Sequence, residues 1–408
     1  MHMKLLSIIA AGLLLMMPIS TASIVRVAVV GGGPAGCFLS KELAASSKFA
    51  VTLFDAGRKP GGRTSTRLHK HHGEKYCFDH GAQYISPKSD VFKKIVKSWE
   101  LKGIVDVWNG AVGRSNGEGH KIEPLNFDCE HYVGVPTMGS LCEKILSSIE
   151  IEKKFGVQVC IQPSSNNDGW CIIKEGSETS LGTYDWVVCT DRTMAAKGQL
   201  PSSVDEAFTN EVQASVISVP SLACMMVLDS SVSTLLEEKL GYDSIRIDQH
   251  PILSWVSNCS SKPEQKREDG KSCWTIQANP TFSKSLILEV EEDMCGASAK
   301  EIRSVIAKEC EIPLYTAFMQ LVEDHLCMQR GSLADTKPVF LRGHRWGAAF
   351  PSGYMRTSSS GDGDEPFFID PKAKFIAIGD YFDEKGGRIE SAYLSALSGA
   401  KAIISNAA

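Results

Sequence analysis

The chain has 408 residues, 43% of them hydrophobic and 22% charged, and Lys+Arg 43 against Asp+Glu 48 leaves a formal net charge of −5. That length exceeds what one small core takes and predicts two interleaved domains. The ordinary composition and slightly acidic balance argue against a nucleic-acid surface.

In chain order, Met1 to Lys4 precedes an apolar run from Leu5 to Met17, then Pro18 and the small residues Ser20 to Ser23. This is the order of a secretory signal cleaved after Ala22 or Ser23, and the run is too short for a stable membrane span. Residues 1–23 thus read as a leader to a secreted or endomembrane and organellar location; without it the chain reads as soluble and intracellular. Thirteen cysteines, among them Cys160, Cys171, Cys189 and Cys224 in apolar runs, have no paired spacing and read as buried thiols. They fit a reducing compartment. The sequon Asn258-Cys259-Ser260 lies in a strand-like segment and is expected inside.

Ile24 to Val30 reads as a buried parallel strand, Pro34 to about Ser46 as a helix, and Phe49 to Phe54 as the next strand, a first βαβ unit. Helices are expected at Val91 to Leu101 and Met138 to Ile149, then a three-stranded meander (VQVCI, WCIIK, YDWVVC) whose last strand returns to the first sheet, with a turn at 166–169. From about 195 to 345, strands mix with helices at Phe282 to Glu291 and Ser298 to Glu309, the latter with a capping box at Ser298 and Glu301. Phe375 to Ile378 is a strand, Arg388 to Ile404 a closing helix, and Gly353 to Pro366 a low-complexity loop. The divisions drawn are 24–90 (dinucleotide-binding, first part), 91–150 (helical, substrate-side), 151–195 (meander and return strand), 196–345 (α+β substrate domain) and 346–408 (dinucleotide-binding, second part).

Gly31, Gly33 and Gly36 form GxGxxG at the end of the first strand. The first glycine permits a tight turn, the second a close approach of backbone to a pyrophosphate, the third close helix packing, and the helix N-terminus faces the phosphates. Asp55 ends the second strand where an acid accepts ribose hydroxyls; a strand-end turn carboxylate is the plainer reading.

Asp55 to Arg63 (DAGRKPGGR), with Ile378 to Tyr381 (IGDY) and Gly386 to Ala392 (GGRIESA), resembles the flavin amine-oxidase superfamily. The resemblance implies a Rossmann-like FAD-binding domain of GR2 type with an inserted α+β substrate domain. Arg63 then closes over the pyrophosphate, Asp380 meets the ribityl chain, and the closing helix points its N-terminus at the flavin's N1/O2 edge, favouring the reduced form's charge. With no cysteine or histidine in Gly386 to Ser391, attachment is expected to be noncovalent. Phe78 to Tyr84 (FDHGAQY), Tyr132 to Met138, Leu253-Ser254-Trp255 with Ser260 to Pro263, His344-Arg345-Trp346 and Gly387 to Ser395 further resemble renalase-like FAD-dependent oxidoreductases. That implies a cofactor-contacting set of Gly31, Gly33, Gly36, Asp55, Arg63, Gly81, Gln83, Val159, Gly379, Asp380, Arg388 and Ile389. Trp346, Trp255, Gln277 and Tyr84 stand on the substrate side, and no metal is implied.

Relatives of this type often carry a histidine where Gln277 stands, and glutamine does not titrate. Trp346 and Trp255 have a plainer reading as core aromatics, His344 as a residue holding a loop, His69, His71 and His72 as part of a solvated loop, and Glu390 as a helix cap. The implied reaction is hydride transfer to FAD from a C–H next to nitrogen, with O2 as acceptor and H2O2 released, on a small-molecule substrate. The alternatives are a desaturase acting on polyenes or tetrapyrroles, and a flavoprotein with a degraded pocket.

Overall fold

The computed structural model describes residues 23–116, 121–165, 169–196, 199–355 and 365–407. Residues 1–22 of the expected leader, 166–168 of the expected turn and 356–364 of the expected low-complexity loop lie outside the described residues. No helix among those described is long and apolar enough to cross a membrane.

The first layer is a six-stranded sheet in the order Phe367–Asp370, Phe375–Ile378, Trp186–Cys189, Val25–Val30, Phe49–Asp55, Glu152–Phe155, parallel except at the first pair. Its central strand is covered on both faces, which explains a nearly unbroken apolar run. Val27 and Val29 point to the helices Pro34–Ala44, Asp90–Leu101, Ser140–Ser147 and Ile389–Asn406. Ala28 and Val30, on the alternate face, pack under the antiparallel meander Val159–Pro163, Trp170–Lys174, Ser180–Tyr184. The expected third meander strand is in fact two: Ser180–Tyr184 completes the meander, and Trp186–Cys189 returns to the parallel sheet beside Val25–Val30. Asp185 breaks them, its carboxylate accepting from the Arg26 amide at 2.7 Å.

The second layer is a seven-stranded sheet ordered Phe340–Ser352, Ile217–Leu228, Ser272–Ala278, Leu253–Asn258, Ser244–Ile247, Val112–Ser115, Ile122–Pro124. Leu222, Cys224, Met226, Trp274 and Ile276 on one face pack under the helices Pro280–Asp293, Ala299–Glu309 and Glu311–His325. The capping box at Ser298 and Glu301 forms with both of its hydrogen bonds. Segment 91–150 feeds both layers, since besides its helices it supplies two strands to this sheet. Strand Phe340–Ser352 runs through the division drawn at 345/346, so Trp346 belongs to the second layer.

Two local expectations are corrected. The histidine-rich stretch is not a solvated loop: Thr66–His71 and Glu74–Asp79 form an antiparallel hairpin turning at His72 and Gly73. His69 and His71 lie 5.1 and 5.6 Å from the Phe340 ring, an apolar contact far along the chain that spacing does not reveal. His344 likewise sits within a strand rather than holding a loop. None of the thirteen cysteines is in a disulfide, and Asn258 of the sequon is half-buried, accepting from the Ser260 amide.

Candidate functional site

The glycine turn follows directly from the sheet. The amide of Gly31 donates to the carbonyl of Phe54 at 2.8 Å, and its φ of +113 is one that only glycine adopts easily. A Cβ at Gly31 would sit 2.0 Å from Thr190 Oγ1, and one at Gly36 would sit 1.9 Å from the Gly31 carbonyl. At Gly33 it would meet nothing within 4 Å, because that glycine borders open space. Gly33 also caps the helix Pro34–Ala44 without a side-chain bond, leaving its first amides free for an anion. Asp55 accepts the Gly32 amide on one oxygen and the Gly57 amide on the other, both at 2.5 Å. Burial raises its pKa against the pull of those amides. In this geometry it braces the turn and lines the cavity described next.

The three glycine-rich patches meet in space. Gly61 donates to the Gly32 carbonyl at 2.8 Å. Arg63 makes two 2.6 Å bonds to Asp380, whose carboxylate also accepts the Gly387 amide at 2.8 Å. The Asp380 carboxylate thus holds Arg63, a partner that the sequence reading of a ribityl contact did not include, while Asp380 also lines the cavity described next. Burial works against its charge, but the guanidinium prevails and lowers its pKa. Around these groups lies a cavity of about 520 Å³ lined by Gly31, Gly33, Asp55, Arg63, Val159, Gly379, Asp380, Arg388 and Ile389. Gly36 is packed beneath it, where it lets the helix approach the strand.

A second cavity, of about 600 Å³, is lined by Gly81, Gln83, Tyr84, Trp255, Gln277 and Trp346 among others. Arg63, Ala82, Trp346 and Gly387 to Ile389 line both cavities, so the two adjoin there. Sheet register explains the grouping: Trp255 pairs with Gln277, Gln277 with Ala223, and Ala223 with His344, so these side chains share one face. Trp346, opposite Ser221, extends that face. Gln277 donates to the Gly81 carbonyl at 2.9 Å and Trp346 Nε1 to the His80 carbonyl at 3.0 Å, fixing the segment between the cavities. Glu390 is no cap of its own helix. It accepts the Lys88 and Ser89 amides and pairs with Arg388 at 2.7 Å.

Residues not singled out in the sequence complete the site. Lys262 and Asp79 form an ion pair at 2.9 Å with both side chains 0% exposed. Arg192, three residues beyond the return strand, lines the first cavity. His80 stacks on Trp346 at 4.8 Å and meets His344 edge-on at 4.6 Å. Among the described residues no three His, Cys, Asp or Glu gather as metal ligands.

Burial, with the nearby His344 and Arg67, pushes the His80 pKa down to about 2, and burial pushes His131 and His344 down to about 4. Below the unfolded value of about 6.5, the unfolded chain binds protons that the folded chain refuses, so stability falls as pH drops through that window. For the fully buried His80 the loss is about 1.4 kcal/mol per pH unit. Urea melts between about pH 7 and about pH 4 should show this fall, and His80→Phe should lessen its slope by one histidine's share, leaving that of His131 and His344. Equal slopes in the two proteins would remove His80 as its cause.

Residues 29–99 match the family model of the NAD(P)-binding Rossmann-like domain. Among solved structures the chain is similar to the Exiguobacterium sp. 255-15 protein described as a "putative protoporphyrinogen oxidase", with a TM-score of 0.62 and 11% identity over 93% of this chain and 99% of that one. It is also similar to a putrescine oxidase variant (TM-score 0.61, 10% identity, 93% and 99% covered) and to wild-type putrescine oxidase bound to putrescine (0.58, 10%, 93% and 99%). The chain therefore carries a Rossmann-like dinucleotide-binding domain and shares the two-layer fold of these oxidases.

Proposed function

We propose that the chain binds FAD noncovalently across the adjoining cavities and oxidises a small molecule at a C–H next to nitrogen. The adenosine diphosphate end fits the cavity at the glycine turn, where Gly33 borders open space and the first helix offers free amides. The flavin ring fits the junction, bordered by Arg63, Ala82, Trp346 and the N-terminus of helix Ile389–Asn406. Bound FAD would take up the hydride at N5 and hand two electrons to O2, giving H2O2.

One observation carries the reading of the donor. The substrate-side wall holds no histidine, and its single acid, Glu390, is taken up by Arg388 and two backbone amides. No free base stands ready to deprotonate an ammonium, so the wall suits a donor whose nitrogen is already neutral, such as a reduced nicotinamide isomer. Tyr84 and Trp255, with ring centres 5.7 Å apart, form with Trp346 an aromatic wall for a planar ring. These side chains orient the donor carbon and exclude water. Gln277 supports the Gly81 carbonyl, so its lack of a titrating group removes no proton carrier that this reaction needs.

The test is H2O2 release by flavin-loaded protein on a panel of reduced nicotinamide isomers, amines and a porphyrinogen. Release with a dihydronicotinamide alone is expected. Release with the porphyrinogen alone would move the chain to the tetrapyrrole reading, and release with none, from protein that holds flavin, would favour a degraded pocket.

A further inference from the structure

Strand Trp186–Cys189 pairs in parallel with Val25–Val30, Cys189 opposite Val30, so the residues that follow emerge at the same sheet edge as the glycine turn. Ligands of open α/β sheets bind beyond that edge. Arg192 stands there, 4% exposed and in the wall of the cavity at the glycine turn. Its one hydrogen bond among the described residues runs from Nη2 to the Ala348 carbonyl at 3.2 Å, and its buried Nε has no partner. The nearby acids are otherwise engaged. Asp380 is held by both Arg63 nitrogens and the Gly387 amide. Asp191 is exposed, and its carboxylate accepts the Thr193 amide and hydroxyl. A buried guanidinium with no carboxylate bonded to it is costly, and burial, with the charge on Arg63, lowers the Arg192 pKa against the weaker pull of Asp380 and Asp191. The missing anion has one open side to come from, the cavity.

We infer that Arg192 is a ligand of the cofactor's diphosphate, since it lines the same cavity as the free amides at the start of helix Pro34–Ala44. The inference rests on the FAD reading above. It adds a cation from just beyond the return strand, which none of the three glycine-rich patches contains. It also explains why a buried arginine without a carboxylate partner is tolerated: the charge is balanced when the dinucleotide binds.

The experiment compares wild type with Arg192→Met and Arg192→Lys by titrating deflavinated protein with FAD, riboflavin and NADH, and by melting each deflavinated protein. A diphosphate ligand predicts FAD binding weakened about ten- to a hundredfold in Arg192→Met, the loss of a charge-assisted hydrogen bond. Riboflavin, which has no phosphate, should bind both proteins alike. The deflavinated Arg192→Met protein should melt at the same temperature as wild type or higher, because a stranded charge is gone. Arg192→Lys should recover part of the FAD affinity and its salt dependence. Unchanged FAD affinity in Arg192→Met, or equal losses for FAD and riboflavin together with a lower melting temperature, would overturn the inference and leave the cofactor reading standing. Wild type that binds NADH in an Arg192-dependent way but not FAD would overturn the cofactor reading, and with it the assignment of this diphosphate to FAD.

Discussion

Lys262→Met should destabilise the protein by about 3 to 5 kcal/mol, the loss seen when one half of a fully buried ion pair is removed. Asp79 would then be left at 0% exposure with only neutral donors: Thr66 Oγ1 at 2.6 Å, Gln265 Nε2 at 3.1 Å and the Met138 amide at 3.2 Å. The effect should reach the site, because Lys262 Nζ also lies 3.4 Å from Gln83 Oε1, and Gln83 donates to the carbonyls of Asp79 and Gly81. Residues 79 to 84 are thereby tied to the second layer, and Gly81 to Tyr84 line the second cavity, with Ala82 also lining the first. Flavin retention should fall along with the urea midpoint. The double variant Asp79→Asn with Lys262→Met should recover part of the stability, since no uncompensated charge remains. A loss under about 1 kcal/mol in the single variant would show the pair to be hydrated and of the surface kind.

That pair also marks the limit of what the chain's linear order reveals. The first βαβ unit was legible because its cause is local: an apolar strand, a turn that only glycine can make, and a helix starting at Pro34. The closing strand and helix were legible for the same reason. Lys262 and Asp79 are 183 residues apart, and no periodicity joins them. The hairpin at 66–79 was missed because its histidines are polar by type yet find an aromatic partner, Phe340, in the second layer. The division at 345/346 cut a strand because the return from one layer to the other has no turn residue at that point. Arg192 had a usable signal, the C-terminal end of a returning parallel strand, but its missing counter-charge is visible only once burial is known.

Asp380→Ala should cost both flavin and fold. Read from the sequence, Asp380 is a carboxylate on the ribityl chain, whose loss weakens the cofactor by about 1.5 to 3 kcal/mol and leaves the fold alone. The structure gives it a second task, because both oxygens hold Arg63 at 2.6 Å and one also accepts the Gly387 amide. Its removal leaves Arg63 unpaired beside Arg192, which already lacks a carboxylate, so two cations of the same cavity wall would repel each other. The stability loss should fall toward the lower end of about 3 to 5 kcal/mol, since the Arg63 side chain keeps 34% of its surface exposed and water screens part of its charge. Flavin content after purification and the urea midpoint of the deflavinated protein measure the two effects separately. Adding Arg63→Met to Asp380→Ala should restore much of the midpoint by removing the repulsion, while flavin content stays low because the link between the patches at 55–63 and 379–391 is gone. A single variant that keeps full flavin and melts like wild type would mean that the clamp contributes to neither. If the double variant regains the midpoint and the flavin together, Asp380 acts only by neutralising Arg63 and makes no contact of its own with the cofactor.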